Sequence, residues 1–92
     1  MQIHRIKILS RYFRQVASGD KPFEFRRNDR GYRAGDLVVL DEIGTNDDGE
    51  TIYTGRSIVV LIKQVWELGE LLEKLDGWCV FTFEVLYRKL VL

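Results

Sequence analysis

The sequence predicts a small α+β protein, a mostly antiparallel β-barrel with one or two short helices, organised as a single domain over residues 1–92. Three observations lead there. Apolar and polar residues alternate in several short runs, as strands with one buried face require. Two other segments repeat their apolar residues every three or four positions, the spacing of an amphipathic helix. A chain of 92 residues is too short for two ordinary domains, and five or six strands in so small a chain hide their edges most economically by curling into a barrel.

The first strand is expected over Ile3–Leu9, where isoleucines interleave with Arg5 and Lys7. Ser10 then reads as a helix N-cap. Tyr12, Phe13, Val16 and Ala17 fall at helical spacing, so a short helix is predicted over Arg11–Ala17, closed by Gly19 in a left-handed C-cap. Lys21–Arg27 returns to alternation, with Phe23 and Phe25 on one face and Glu24 and Arg26 on the other; the phenylalanines are the expected core face. A turn-rich loop, Asn28–Gly31, and the Gly35-Asp36 turn precede a strand at Leu37–Leu40. Gly44–Gly49 is a polar hairpin connection, Thr51–Tyr53 resumes a strand, Gly55 marks a bulge, and Ser57–Val65 is a long β-branched run. Leucines at 68, 71, 72 and 75 predict a second short helix over Glu67–Leu75, flanked by Trp66 and Trp78 as packing anchors. The last strand alternates Cys79, Phe81, Phe83, Val85 and Tyr87 towards the core.

Apolar residues at 46% and charged residues at 30% exclude a disordered chain. A single cysteine, Cys79, excludes a disulfide framework and a multi-cysteine metal site, and a reducing, cytoplasmic setting is expected. With no apolar leader and no membrane-length run, neither secretion nor membrane insertion is expected. Net charge is zero but unevenly spread. Up to Gly35 there are nine basic and three acidic residues, and from Asp36 onward five basic and eleven acidic. Such a split makes a basic face on a neutral protein, suited to an anionic partner such as RNA, or simply a dipolar solvated surface. His4, the only histidine, has no zinc-ligand spacing around it, and no metal or cofactor is expected.

The informative segment runs Gly19-Asp20-Lys21-Pro22-Phe23-Glu24-Phe25-Arg26, followed by Tyr32-Arg33-Ala34-Gly35-Asp36. It resembles the ASCH pattern, in which a glycine, a lysine two residues on, a glutamate and an arginine run from the end of the first helix into a strand. Gly19, Lys21, Glu24 and Arg26 match all four positions. His4, Lys7, Tyr12-Phe13, Asn28-Asp29-Arg30 and Tyr53-Thr54-Gly55-Arg56 extend the similarity, over nearly the whole chain, to a bacterial and phage branch of that family. The resemblance implies a PUA-like barrel with a cleft beside the first helix, and activities of RNA binding, ribonuclease action or N4-acetylcytidine hydrolysis. In the amidohydrolase members a lysine serves as base towards a threonine nucleophile three residues on. Lys21 matches that lysine, whereas Glu24 stands in the threonine's place, and a carboxylate is not a substitute for a hydroxyl nucleophile in that scheme.

From the residues themselves, Glu24 and Arg26 share a strand face two positions apart and can pair or converge on a ligand, with Lys21 aimed into the same cleft. The bland alternative is a salt bridge that merely caps the barrel. Arg26, Arg27, Arg30 and Arg33, with Tyr32 as the stacking aromatic and Tyr53 and Arg56 as an extension, form the expected surface for RNA or a nucleotide-like ligand. Hydrolysis of a modified nucleoside or RNA, with Lys21 and Glu24 as acid–base residues and Arg26 stabilising negative charge, is the alternative; a protein-interaction module is a third reading.

Overall fold

The computed structural model describes residues 1–91. Five strands make one sheet: β1 (Ile3–Leu9), β2 (Phe23–Arg27), β3 (Leu37–Thr45), β4 (Thr51–Glu67) and β5 (Trp78–Lys89), in the spatial order β1-β3-β4-β5-β2. Only the β1–β3 pair is parallel; the other three pairs are antiparallel. A parallel neighbour cannot be reached by a tight turn, and here the crossing is made by helix α1 (Ser10–Ser18), β2 and the loop after it. As a result β1 and β2, consecutive in sequence, sit at opposite edges of the sheet.

The sheet curls until these edges approach each other. At about 3.3 Å per residue, the 17 residues of β4 would run roughly 56 Å if straight. The longest dimension of the molecule is 40 Å, so the strand must bend. It does so where its pairing slips: opposite Asp41–Ile43 of β3, and at Val59/Val60 and Ile62/Gln64 against β5. At the first of these, Thr54, Gly55 and Arg56 stand opposite the single residue Glu42, and Gly55 takes φ +88°, a region that favours glycine. The expected bulge at Gly55 is therefore present, and the runs expected at Thr51–Tyr53 and Ser57–Val65 are one continuous bent strand.

The concave face holds the core. Ile6 and Ile8 of β1, Val38 and Leu40 of β3, Ile58, Val60 and Ile62 of β4, and Cys79, Phe81 and Phe83 of β5 are buried there, and α1 covers part of it with Phe13 and Val16. Helix α1 begins at Ser10 itself, the residue expected to cap it. Leu9 is the N-cap, and the Ser10 hydroxyl donates instead to the Ile43 carbonyl at 3.1 Å. Gly19 closes the helix as expected, at φ +87°, with its N–H donating to the Val16 carbonyl. The guanidinium of Arg88 donates to the Ala17 carbonyl at 3.0 Å, tying β5 to a helix end where positive charge is favoured.

Three expectations are corrected. The leucine-spaced segment Glu67–Leu75 is not an α-helix; β4 runs through Glu67, and two 3-10 turns follow at Leu68–Glu70 and Glu73–Leu75. Leu71 and Leu72 stay exposed, and with no surface to cover it an apolar stripe has no reason to hold a helix. Trp66 is left 47% exposed, whereas Trp78 packs as expected, against Phe25. The faces of β2 are also reversed. Across the β2–β5 ladder Glu24 stands opposite Phe81 and Arg26 opposite Cys79, both fully buried, so the polar pair points inward while Phe23 and Phe25 point out. The inward face of β5 decides this, because cross-strand partners share a face.

Candidate functional site

The curl leaves an open groove of about 1370 Å³ along the concave side, between the two edge strands and beside α1. Eight cationic side chains line it, from Arg5, Lys7, Lys21, Arg26, Arg27, Arg30, Arg56 and Lys89, against four carboxylates from Glu24, Asp29, Asp41 and Glu42.

At one wall Glu24 is 3% exposed and accepts two charge-assisted hydrogen bonds: Lys21 Nζ donates to Oε1, and Arg26 Nε donates to Oε2 at 2.8 Å. A buried carboxylate needs such partners, because stripping it of water without them costs several kcal/mol. Lys21 Nζ also donates to the Phe23 carbonyl at 3.0 Å and lies 5.4 Å and 5.2 Å from the centres of the Tyr12 and Phe23 rings. Arg26 Nη2 reaches across the gap between the sheet edges and donates to the Lys7 carbonyl. The Lys21–Glu24–Arg26 cluster thus joins helix end, β2 and β1, and Arg26 is the tie between the two edges.

The opposite wall carries a second cluster that the sequence did not reveal. Glu42, 2% exposed, faces the β4 bulge; the Thr54 hydroxyl donates to its Oε1 at 2.6 Å and Arg56 Nε donates to the same oxygen. Burial works to raise this carboxyl's pKa, but the Thr54 and Arg56 hydrogen bonds, with the Arg56 charge, outweigh it and hold the group below its ordinary range. The visible hint was a glutamate inside the apolar run from Leu37 to Ile43, opposite the bulge glycine. Here, as at Glu24, an arginine is pinned through Nε by a buried carboxylate, which orients its fork and leaves terminal N–H groups for an anion.

Of the residues singled out from sequence, Lys21, Glu24, Arg26, Arg27, Arg30, Tyr32, Tyr53 and Arg56 all line this one groove. Arg33 does not. It is exposed outside the groove, with its backbone engaged by Asp36: its N–H donates to the carboxylate at 3.1 Å and its carbonyl accepts the Asp36 N–H at 3.0 Å. Tyr32 is not a rim platform either. It is 4% exposed, edge-on to His4 with ring centres 4.8 Å apart and packed on Phe81 at 4.9 Å, so neither ring face is open for a base. Asn28 holds it there, accepting the Tyr32 N–H at 2.8 Å. Behind it, His4 is bonded to Asp36 at 2.8 Å. Burial raises the pKa of Asp36, yet N–H donors from Gln2 and Arg33 and the His4 ring hold it below its ordinary value.

An exposed pair of stacked rings lies elsewhere. Phe25, 47% exposed, stacks on Trp78 with ring centres 5.1 Å apart and planes 14° from parallel, and the Arg27 guanidinium sits 5.2 Å from the Trp78 ring. Both aromatics line the groove. Sequence reasoning placed both rings in packing roles because it could not see that β2 turns its phenylalanines outward. Cys79, behind them, is fully buried, and burial reinforced by Glu67 and Asp29 pushes its thiol up to about 11, so it is no nucleophile at neutral pH. Among the described residues no cluster of three or more His, Cys, Asp or Glu side chains is placed to hold a metal, and no helix is long and apolar enough to cross a membrane.

A protein family described as "Domain of unknown function (DUF3850)" matches residues 3–83, a stretch containing every groove-lining residue except Lys89. A protein of Escherichia phage P2, called the uncharacterized 12.9 kDa protein in the GpA 3' region, is 36% identical over 72 residues. That alignment covers 78% of this chain and 62% of the phage protein, so the chain accounts for less than two thirds of its relative's length.

Proposed function

This chain belongs to the DUF3850 family, and on that premise we propose that it binds RNA, or a nucleotide-like ligand, along the concave groove. The observation that carries the reading is the groove itself: a basic, open channel in which two arginines are pre-oriented by buried carboxylates, with a stacked aromatic pair at its side. Oriented guanidinium forks suit phosphate oxygens, and an exposed ring suits a base. In this reading Arg27 and Arg30 meet the backbone, Arg26 and Arg56 clamp oxygens, and Phe25 with Trp78 takes the stacking role first expected of Tyr32. The similarity of Gly19, Lys21, Glu24 and Arg26 to the ASCH pattern supports the same conclusion, and with it a PUA-like barrel. A reducing compartment suits a protein whose lone cysteine is buried.

Binding is favoured over hydrolysis by the engagement of Glu24. Both its oxygens already accept from cations, which serves to position those cations rather than to abstract a proton. The test is titration of single-stranded RNA followed by tryptophan fluorescence at several salt concentrations. Affinity should fall with rising salt, by about 0.7 log units per log unit of salt for each phosphate neutralised, and Arg27→Ala should lower both affinity and slope. Arg33→Ala, outside the groove, should change neither. Absence of binding, or a response flat in salt, overturns the proposal. Turnover of an acetylcytidine-type amide that is lost in folded Lys21→Ala and Glu24→Ala proteins would replace it with the hydrolytic reading.

A further inference from the structure

The least explained polar group in the groove is the hydroxyl of Tyr32. The ring is almost wholly enclosed, by His4 on one side and Phe81 on another, and its backbone is tied to Asn28. Its hydroxyl, however, makes no hydrogen bond to any described residue. Among these residues no side-chain oxygen or nitrogen cut off from solvent lacks a partner, so this hydroxyl must keep a narrow opening to water. Tyr32 lines the groove. A phenol is normally buried with a partner for its O–H, so a protein that encloses the ring and leaves the O–H unmatched has built a position for a group it does not itself supply.

The neighbours say what kind of group. Arg26 and Arg30 are close enough to act on the ionisation of Tyr32; burial nevertheless raises its pKa, so the phenol stays protonated at neutral pH. Arg26 and Arg30 line the same groove as this phenol, as does Asp29, and a protonated phenol has an O–H to donate to an acceptor bound beside the two cations. Arg26 commits Nε to Glu24 and Nη2 to Lys7, and keeps further N–H groups. What meets a phenol O–H and guanidinium N–H groups together is an oxygen acceptor.

We propose that the Tyr32 hydroxyl is a ligand-reading donor at the floor of the groove, which together with Arg26 receives an oxygen of the bound molecule, either a phosphate oxygen or the exocyclic oxygen of a nucleobase. This rests on the groove being the binding site, and it assigns Tyr32 a role distinct from stacking. The discrimination is large when such a donor is buried: a ligand without the oxygen leaves the O–H unpaired and is rejected.

The experiment compares wild type with Tyr32→Phe against short oligouridylate, whose base carries exocyclic oxygens, and short oligoadenylate, whose base carries none. Removing a hydroxyl that has no protein partner should leave the thermal midpoint unchanged, while affinity falls about tenfold, the loss of one net hydrogen bond. An equal fall for both oligomers identifies the acceptor as phosphate. A fall for oligouridylate alone, erasing a wild-type preference for uracil, identifies it as the base. Should Tyr32→Phe bind both as wild type does, this inference fails and the groove reading stands. A lowered midpoint also overturns it, since the hydroxyl would then be satisfied within the protein. If wild type binds neither oligomer, the groove reading falls and takes this inference with it.

Discussion

Replacing Glu24 with glutamine tests whether the buried carboxylate organises the groove. Glu24→Gln preserves shape and one acceptor oxygen but puts an amide N–H2 where a carboxylate oxygen faced a cation. Hydrogen bonds to charged groups contribute about 1.5–3 kcal/mol each, and stripping one partner from a buried pair costs about 3–5 kcal/mol. Lys21 and Arg26 keep 16% and 28% of their side-chain surface exposed, so water recovers part of that loss. The expected destabilisation is about 2–3 kcal/mol. For a protein this small the urea dependence is near 1 kcal/mol per M, so the unfolding midpoint should fall by about 2–3 M at unchanged slope. A second consequence is local: freed of Glu24, Arg26 loses its orientation, the tie to the Lys7 carbonyl loosens, and the β1 and β2 edges part. Amide hydrogen exchange in β2 should accelerate more than exchange in β3 and β4. A midpoint within about 0.5 M of wild type would refute the reasoning, because the cations would then be held by something other than this carboxylate.

Asp36 and Glu42 both ionise below their ordinary values of 3.8 and 4.5 in the folded protein, so the unfolded chain binds more protons than the folded one through the acid limb. Their stabilisation is complete above those values and is lost as pH falls through the lower folded ones; the midpoint should hold down to about pH 5 and then drop. Asp36→Asn should flatten that limb when denaturation is followed from pH 6 to pH 2. Gly69→Ala would set a Cβ 2.8 Å from Asp76 Oδ1 and 3.0 Å from its Cα, which is backbone and cannot simply swing aside. A destabilisation of about 1–3 kcal/mol is expected, read by urea unfolding.

The groove exists because the strand order separates β1 from β2 while the bends in β4 bring them back within reach of one side chain. An open sheet of this order would present two bare edges, each a template for unwanted pairing. Here Arg26 spans the gap, and the space beneath it fills with apolar residues towards α1 and with charged ones towards the β4 bulge. Core and site are thus two parts of one concave face, and Tyr32 lies at the boundary between them.

Local patterning in the amino-acid order was enough for the elements whose cues are short-range. Ile3–Leu9 alternates and is β1; Phe13 and Val16 sit at helical spacing before Gly19 and bury one face of α1; Gly55 does mark a bulge; and Lys21, Glu24 and Arg26, two and three residues apart, do converge. Tertiary packing alone decided which way β2 faces. Alternation states that two faces differ, and the inward row of β5, paired by register to Glu24 and Arg26, chose the polar one. The same holds for Tyr32, drawn inside by Asn28, His4 and Phe81, for Arg33, left outside the groove, and for Glu42, whose partners lie 12 and 14 residues away. Periodicity is a property of neighbours along the chain, whereas burial is a property of neighbours across it, and a curled sheet makes those second neighbours only once all five strands are in place.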